Sequence, residues 1–251
     1  MAALRDQGIE IVLIASGSVS IGQGTLGSHI SAGDPSIRRA AASLGQASLL
    51  ASFHEYFQVT QHPCGQLLVS KGDFQGRSAK RQLRDAIQHL LDAGAVPLLN
   101  ENDATAQRIN LLGNNDQLAA TVARFWGADL LVLLTDQRGL HLADPQKNPH
   151  APVIPWGYAS DARYLKMAAN GKGALGTGGM VTKIQAAQYA AVLGIPTIIT
   201  MGREKQVLVQ LRRGRKLGTL LLPRQYHLRL TKGLFDMWIL RNPALPFQAW
   251  A

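Results

Sequence analysis

The sequence predicts an α/β fold built around a mainly parallel β-sheet. Short apolar runs rich in β-branched residues alternate with longer segments in which apolar residues recur every three to four positions. This alternation is typical of strand–helix–strand units. The chain has 251 residues, of which 46% are hydrophobic and 17% charged. It is therefore long enough to bury a substantial core.

Five strands and four helices are predicted in alternation. The predicted strands are Ile9–Ala15, Cys64–Val69, Val96–Leu99, Leu130–Leu134 and Thr197–Thr200. The predicted helices are Ile37–Phe57, Arg77–Ala93, Gln117–Trp126 and Val181–Leu193. Gly94, Gly127 and Gly194 follow three of these helices, where glycine commonly ends a helix. We expect the α/β pattern to end near residues 218–223, where the composition becomes basic and irregular.

Cysteine content and apolar run length narrow the class of protein. Cys64 is the only cysteine, so no intramolecular disulfide can form, and a reducing, cytoplasmic compartment is predicted. The longest apolar runs fall far short of the roughly 20 residues that cross a bilayer, so we predict no membrane span. The first residues include Asp6 and lead into a strand pattern, which is not typical of a secretory signal.

The positive charge of the chain is concentrated at its end. The formal net charge is +10, yet residues 1–200 hold 16 Lys and Arg against 14 Asp and Glu. Residues 201–251 hold ten Lys and Arg against two acids. A solvated surface and a patch that binds RNA or another polyanion both remain open for this basic tail.

A glycine-rich segment, residues 173–183, leads into a predicted helix and ends at Lys183. Glycines let backbone N–H groups approach phosphate oxygens, and a helix N-terminus adds positive potential. The lysine could reach a phosphoryl group during transfer. The segment therefore predicts a phosphate site, with a flexible surface loop as the alternative. It is not the common P-loop, because no Gly-x-x-x-x-Gly-Lys-Ser/Thr string occurs in the chain.

A second glycine motif, residues 22–27, fits the Gly-x-Gly-x-x-Gly pattern of dinucleotide-binding proteins. In those proteins a helix follows the motif at once, and an acid lies about 20 residues further on. Here a predicted loop follows, and residues 42–46 contain no acid. We therefore predict no nicotinamide site.

Polar residues follow three of the predicted strands. Ser16 follows the first strand, Asp103 lies in the loop after the third, and Asp136 lies after the fourth. Ligands of open parallel sheets bind at the carboxyl ends of the strands, so these loops are expected to form the site. The seven histidines and Cys64 show no metal-site spacing, which predicts neither a structural metal nor a Cys/His nucleophile.

Taken in order, these loops resemble those of the glutamate 5-kinases, a branch of the amino-acid kinase family. The resemblance runs from about Gly8 to Thr219. The residues that carry it are Ser16-Gly17, Pro97 to Asp103, Gly113 to Asp116, Leu133 to Leu140, Ala143 to Pro145 and Gly176 to Lys183. It implies a three-layer αβα sandwich that uses ATP and Mg²⁺ to phosphorylate the side-chain carboxylate of L-glutamate. The product would be glutamyl 5-phosphate, in the first step of proline biosynthesis.

The resemblance also implies roles for residues at matching positions. Lys183 would neutralise charge in the transition state, and Asp116 would orient the catalytic lysines. The residues implied in glutamate binding are Ser16, Asp103 and Asn115. The residues implied in ATP binding are Thr135, Asp136, Thr177, Gly178, Gly179, Met180, Val181, Thr182 and Lys183. No covalent nucleophile is needed, because the substrate carboxylate is itself the attacking group.

The sequence departs from the family pattern at three places. Members of the family begin with a strand and a Val-Lys-x-Gly-Ser stretch that has no counterpart here. We therefore expect this sequence to be a truncated or misassigned version of a normal kinase. Asn114 stands where the family usually carries an acid. Residues 223–251 resemble the opening of a PUA domain but stop too early for a complete one. We therefore predict a kinase domain over residues 1–222 and an incomplete PUA-like tail over residues 223–251.

Three functional interpretations follow. The leading one is a cytoplasmic, homo-oligomeric glutamate 5-kinase. A sister kinase acting on another carboxylate or on carbamate would share the nucleotide-binding half. A catalytically impaired regulatory or RNA-binding protein would fit the missing lysine and the basic tail.

Overall fold

The computed structural model describes residues 1–27, 34–106, 111–145, 147–169 and 179–224. The chain divides into two compact units, Met1–Leu118 and Ala119–Ala251. Helices and strands alternate in both, and four of the five strand pairings are parallel, which confirms the predicted α/β class. None of the described helices is long and apolar enough to cross a membrane.

The first unit holds three strands and the helices that connect them. The strands are β1 (Leu13–Ile14), β2 (Cys64–Val69) and β3 (Val96–Glu101). The helices are α1 (Ala2–Arg5), α2 (Ser18–Leu26), α3 (Pro35–Gln58), α4 (Arg77–Asp92) and the start of α5 (Asn115–Trp126). A short 3-10 helix spans Lys71–Phe74. The predicted bounds of β2 are confirmed, and those of α3 and α4 are correct to within two residues.

The three strands form a parallel sheet in the order β1-β3-β2, with the wholly buried β3 in the middle. The chain crosses this sheet in one direction from β1 to β2 and in the other from β2 to β3. Right-handed crossovers therefore place α3 and α4 on opposite faces. Leu98 of β3 packs with Leu49 of α3, and Gly65 of β2 lies against Leu90 of α4. The first unit thus has three layers.

Helix α2, which the sequence did not predict, contains most of the second glycine motif. Its packing against α3 explains two glycines. A Cβ on Gly22 would overlap the carbonyl oxygen of Ala41, and a Cβ on Gly45 would overlap that of Ser18. The two backbones can approach this closely only because neither residue has a side chain. Gly22 therefore serves helix packing.

The second unit holds the strands β4 (Leu131–Thr135), β5 (Trp156–Tyr158), β6 (Thr197–Met201) and β7 (Thr219–Leu222). Its helices are the rest of α5, α6 (Ala162–Ala169), α7 (Met180–Ala191) and α8 (Val207–Arg212). The sheet order is β4-β6-β7-β5. Strand β6 is parallel to β4 and antiparallel to β7, and β7 is parallel to β5. Strand β7 lies in the stretch where the α/β pattern was expected to end, so the sheet continues to Leu222.

Three glycines end helices as predicted. Gly94, Gly127 and Gly194 follow α4, α5 and α7, with φ angles of 75°, 80° and 76°. Residues with a side chain rarely adopt these left-handed angles, so glycine stops each helix at little cost. These stops set the points at which the chain turns toward β3, β4 and β6.

Replacing Gly22 by alanine is expected to lower the free energy of unfolding by about 2–3 kcal/mol, because the new methyl group would force α2 away from α3. Gly24 lies in the same helix, and nothing lies within 4 Å of the position its Cβ would take. Gly24→Ala should instead stabilise the protein by about 0.5–1 kcal/mol, since it restores helix propensity without overlap. Urea unfolding of the two variants checks this; equal effects would contradict the packing role of Gly22.

Candidate active site

Ser16 and Asn115, both predicted to bind glutamate, lie close together at the carboxyl end of β1. Ser16 is exposed and directly follows the strand, and Gly17, at a φ of 110°, turns the chain into α2. Asn115 opens α5, and its Nδ2 donates a hydrogen bond of 2.8 Å to the carbonyl oxygen of Ala15. This bond ties the start of α5 to the residue before Ser16.

Asp103 follows β3 at the same edge of the sheet. Arg38 of α3 donates a hydrogen bond of 3.2 Å from Nη2 to Oδ1 of Asp103. The Asp103 side chain is 12% exposed and that of Arg38 is 49% exposed, so the pair presents its cationic side to solvent. An ion pair this open is worth at most about 1 kcal/mol, so its main effect is to orient the carboxylate. The sequence did not predict Arg38, which lies in a predicted helix.

Asn100 joins the end of β3 to the two helices on one face of the sheet. It is 1% exposed, and its Nδ2 donates to Oε1 of Gln46 at 2.8 Å. The same nitrogen lies 3.4 Å from Oγ of Ser18, the first residue of α2. Buried amides need such partners, so Asn100 fixes the carboxyl end of β3 relative to α2 and α3.

Glu101, the last residue of β3, points to the opposite face. It is 6% exposed, and its Oε1 accepts hydrogen bonds from the backbone N–H groups of Leu112 and of Gly113, the latter at 3.4 Å. Burial raises the pKa of the Glu101 carboxyl and the nearby charge of Asp103 raises it further, while the two N–H donors and Arg38 act in the other direction. Glu101 was not among the predicted site residues, although a single charged residue at the end of a buried strand is a usable signal.

Asn114 caps helix α5. Its Oδ1 accepts a hydrogen bond of 2.8 Å from the N–H of Gln117, and its carbonyl oxygen accepts the N–H of Leu118. The helix therefore begins at Asn115, two residues before its predicted start. Asp116 lies in the first turn, where the helix dipole favours a carboxylate.

In the second unit, Thr135 and Asp136 stand at the carboxyl end of β4. The hydroxyl of Thr135 donates to Oδ1 of Asp136 at 3.0 Å, and the carbonyl oxygen of Thr135 accepts the N–H of Gly202 at 2.8 Å. Gly202 directly follows β6. The carboxyl ends of the two parallel strands are thus joined, with the Asp136 carboxylate exposed beside them.

Helix α7 begins at the same edge of this sheet. It packs against β4 and β6 and ends five residues before β6 begins, so it runs back along the strands and its N-terminus lies at their carboxyl ends. Gly179 precedes the helix, and its carbonyl oxygen accepts the hydroxyl of Thr182 at 2.7 Å. Lys183 lies in the next position and is only 9% exposed.

The structure thus places the described candidates in two sets. Ser16, Asp103, Asn115 and Asp116 belong to the first unit; Thr135, Asp136 and residues 179–183 belong to the second. Thr177 and Gly178 lie outside the described residues. Within the described ranges, no three His, Cys, Asp or Glu side chains are grouped so that they could hold a metal ion.

Because the pKa of Glu101 is raised in the folded protein, its ionisation opposes folding. Its contribution to stability is therefore complete below the ordinary glutamate pKa and is lost as the pH rises through the raised value. Urea unfolding of the wild type and of Glu101→Gln across this pH range measures the effect. The stability of the wild type relative to the variant should fall with rising pH; a constant difference would contradict the assignment.

Comparison with known proteins identifies relatives of this chain. The family model for the amino acid kinase family matches residues 1–201. The chain is 41% identical over 223 residues to glutamate 5-kinase from Stutzerimonas stutzeri and 40% identical over 223 residues to that from Methylococcus capsulatus. In each case the match covers 89% of this chain and 60% of the relative, so the chain spans about three fifths of their length.

Solved structures share the fold at low sequence identity. A UMP kinase from Bacillus anthracis superimposes with a TM-score of 0.59 at 16% identity, over 88% of this chain and 83% of its own. A carbamate kinase from Giardia lamblia, solved with AMP-PNP, gives a TM-score of 0.55 at 16% identity, over 88% and 87%. These structures show a shared fold, and the match of the family model to residues 1–201 shows that the chain belongs to the amino acid kinase family.

Proposed function

We propose that this chain is the kinase portion of a glutamate 5-kinase, which transfers the γ-phosphoryl group of ATP to the side-chain carboxylate of L-glutamate. The similarity to glutamate 5-kinases over 223 residues carries the proposal. It is supported by the placement of Ser16, Asp103 and Asn115 around the carboxyl edge of the first sheet. The chain covers 60% of the length of those relatives, so the activity of the whole chain is part of the proposal.

In the proposed reaction, an oxygen of the substrate carboxylate attacks the γ-phosphorus, the bond to the β-phosphate oxygen breaks, and ADP leaves. Lys183 would stabilise the negative charge that develops on the transferred oxygens, since phosphoryl transfer depends on positioned positive charge. The N-terminus of α7 would bind phosphate through its backbone N–H groups. Asp103, oriented by Arg38, would bind the substrate ammonium group.

We expect Mg²⁺ to bind together with the nucleotide. Mg²⁺ usually keeps several waters and is held by substrate phosphates plus one or two carboxylates. The described residues offer no three-ligand cage of their own, but Asp136 stands exposed at the carboxyl end of β4. Asp136 would hold the hydrated ion, which would supply positive charge to the phosphates when bound.

Further predictions concern the boundaries and partners of the chain. We propose that the kinase domain ends at residue 222, which is also the last residue of β7. A cytoplasmic homo-oligomer stays the expected form. RNA binding through the basic tail stays a prediction about residues that are mostly outside the described ranges.

A substrate panel tests the proposed activity. The purified chain is given Mg-ATP with L-glutamate, L-aspartate, N-acetyl-L-glutamate, carbamate or UMP, and ADP release is measured. Release that depends on L-glutamate is expected. Release that depends on a different acceptor would assign a sister kinase, and ATP binding with no release under any condition would contradict the proposed catalysis.

Lys183→Met should lower kcat by two to three orders of magnitude, since removing one preorganised donor to a transition state typically costs about 3–4 kcal/mol. Binding of ATP, measured by calorimetry, should weaken much less. Lys166→Met is the matched control, because Lys166 is an exposed lysine on α6 of the same unit. Equal kcat values for the two variants would remove Lys183 from the mechanism.

A further inference from the structure

We propose that Glu101 is a positioning residue: its buried carboxylate holds the backbone that enters α5 and so sets the positions of Asn115 and Asp116 for phosphoryl transfer to glutamate. This inference rests on the proposed function. Glu101 itself is not expected to touch either substrate, because its Oε1 already accepts two backbone N–H groups.

The first step of the argument is the geometry of that carboxylate. Both N–H groups, those of Leu112 and Gly113, point at the same oxygen and lie 11 and 12 residues beyond Glu101 in the chain. One side-chain oxygen at the end of β3 therefore holds the backbone of residues 112–113. Gly113 adopts a φ of 97°, so the chain makes a sharp turn at this point.

The second step is the short path from this anchor to the candidate site. Asn114 follows Gly113 and caps α5, and Asn115 is bonded to the carbonyl oxygen of Ala15 at 2.8 Å. Three consecutive contacts thus hold residues 112–115, and Glu101 supplies the first. Releasing that contact would move the cap and, with it, the side chains of Asn115 and Asp116 in the first turn.

The third step concerns the choice of a carboxylate. Glu101 is 6% exposed, and burying an ionisable group costs more than burying a neutral acceptor such as glutamine. Asp103 lies close enough to add an unfavourable charge. Ionisable residues that are buried at such a cost are concentrated at functional sites. The two backbone donors that converge on the buried oxygen offset part of this cost, and a neutral oxygen in the same place would keep those two bonds.

The experiment compares three variants of the full chain. Glu101→Leu removes the acceptor at similar volume, Glu101→Gln keeps a neutral oxygen in its place, and Glu55→Leu makes the same change at an exposed glutamate on α3. Two quantities are measured: steady-state kinetics for L-glutamate and for ATP, and hydrogen exchange of the Leu112 and Gly113 amides.

Glu101→Leu should lower kcat/KM for glutamate by about ten- to a hundredfold, the scale on which a displacement of about 1 Å acts, while KM for ATP changes little. Glu101→Gln should recover most of that loss, and Glu55→Leu should match the wild type. The two amides should exchange faster in Glu101→Leu only. If Glu101 only stabilised the fold, Glu101→Leu would lower the folded fraction and would change the kinetics for glutamate and for ATP alike. That result would overturn the inference.

The exchange measurement separates this inference from the proposed function. Should the wild type fail to phosphorylate glutamate, the proposed function fails, and the exchange data still report whether Glu101 holds residues 112–113. Unchanged exchange in Glu101→Leu would overturn the anchor regardless of activity. Unchanged glutamate kinetics with faster exchange would overturn the link to Asn115 and Asp116.

Discussion

The parallel pairing of β3 with strands on both of its sides is the constraint on which the first unit depends. A middle strand of a parallel sheet is covered on both faces, and all six residues of β3 are buried. Its last two residues, Asn100 and Glu101, are nevertheless polar. Each must therefore find partners inside the protein, Asn100 on the face of α2 and α3 and Glu101 on the other face. The hydrogen bonds that these two buried side chains require bring the surrounding segments to one edge of the sheet.

The second unit reaches a similar arrangement with different contacts. Two of its parallel strands, β4 and β6, are joined at their carboxyl ends through Thr135 and Gly202, and the returning helix α7 begins beside them. Here the polar groups are a hydroxyl, an exposed carboxylate and a buried lysine. The first unit thus presents hydroxyl, amide and carboxylate groups at its sheet edge, whereas the second adds a buried lysine in the first turn of α7.

Much of this fold could be predicted from sequence because long helices and buried strands carry periodic patterns. The bounds of α3, α4, α5 and α7 were correct to within two residues. Helix α2 was missed because its glycines give poor helix propensity, and it is packing against α3 that stabilises it. Strand β5 has three residues and β7 is buried throughout, so neither shows alternation. Among the site residues, those that follow strands could be found by position. The contacts of Arg38 and Glu101 could not be predicted, because their partners lie 65 and 11 residues away in the chain.

The reversed direction of β7 decides where anything attached behind it would start. Because β7 is antiparallel to β6, Leu221 lies beside Thr197, at the amino end of β6. The chain therefore leaves this sheet about 13 Å, the length of four strand residues, from the edge that holds Thr135 and the start of α7. A label attached to residue 224 would therefore lie on the side of the second sheet that is remote from Thr135 and the start of α7.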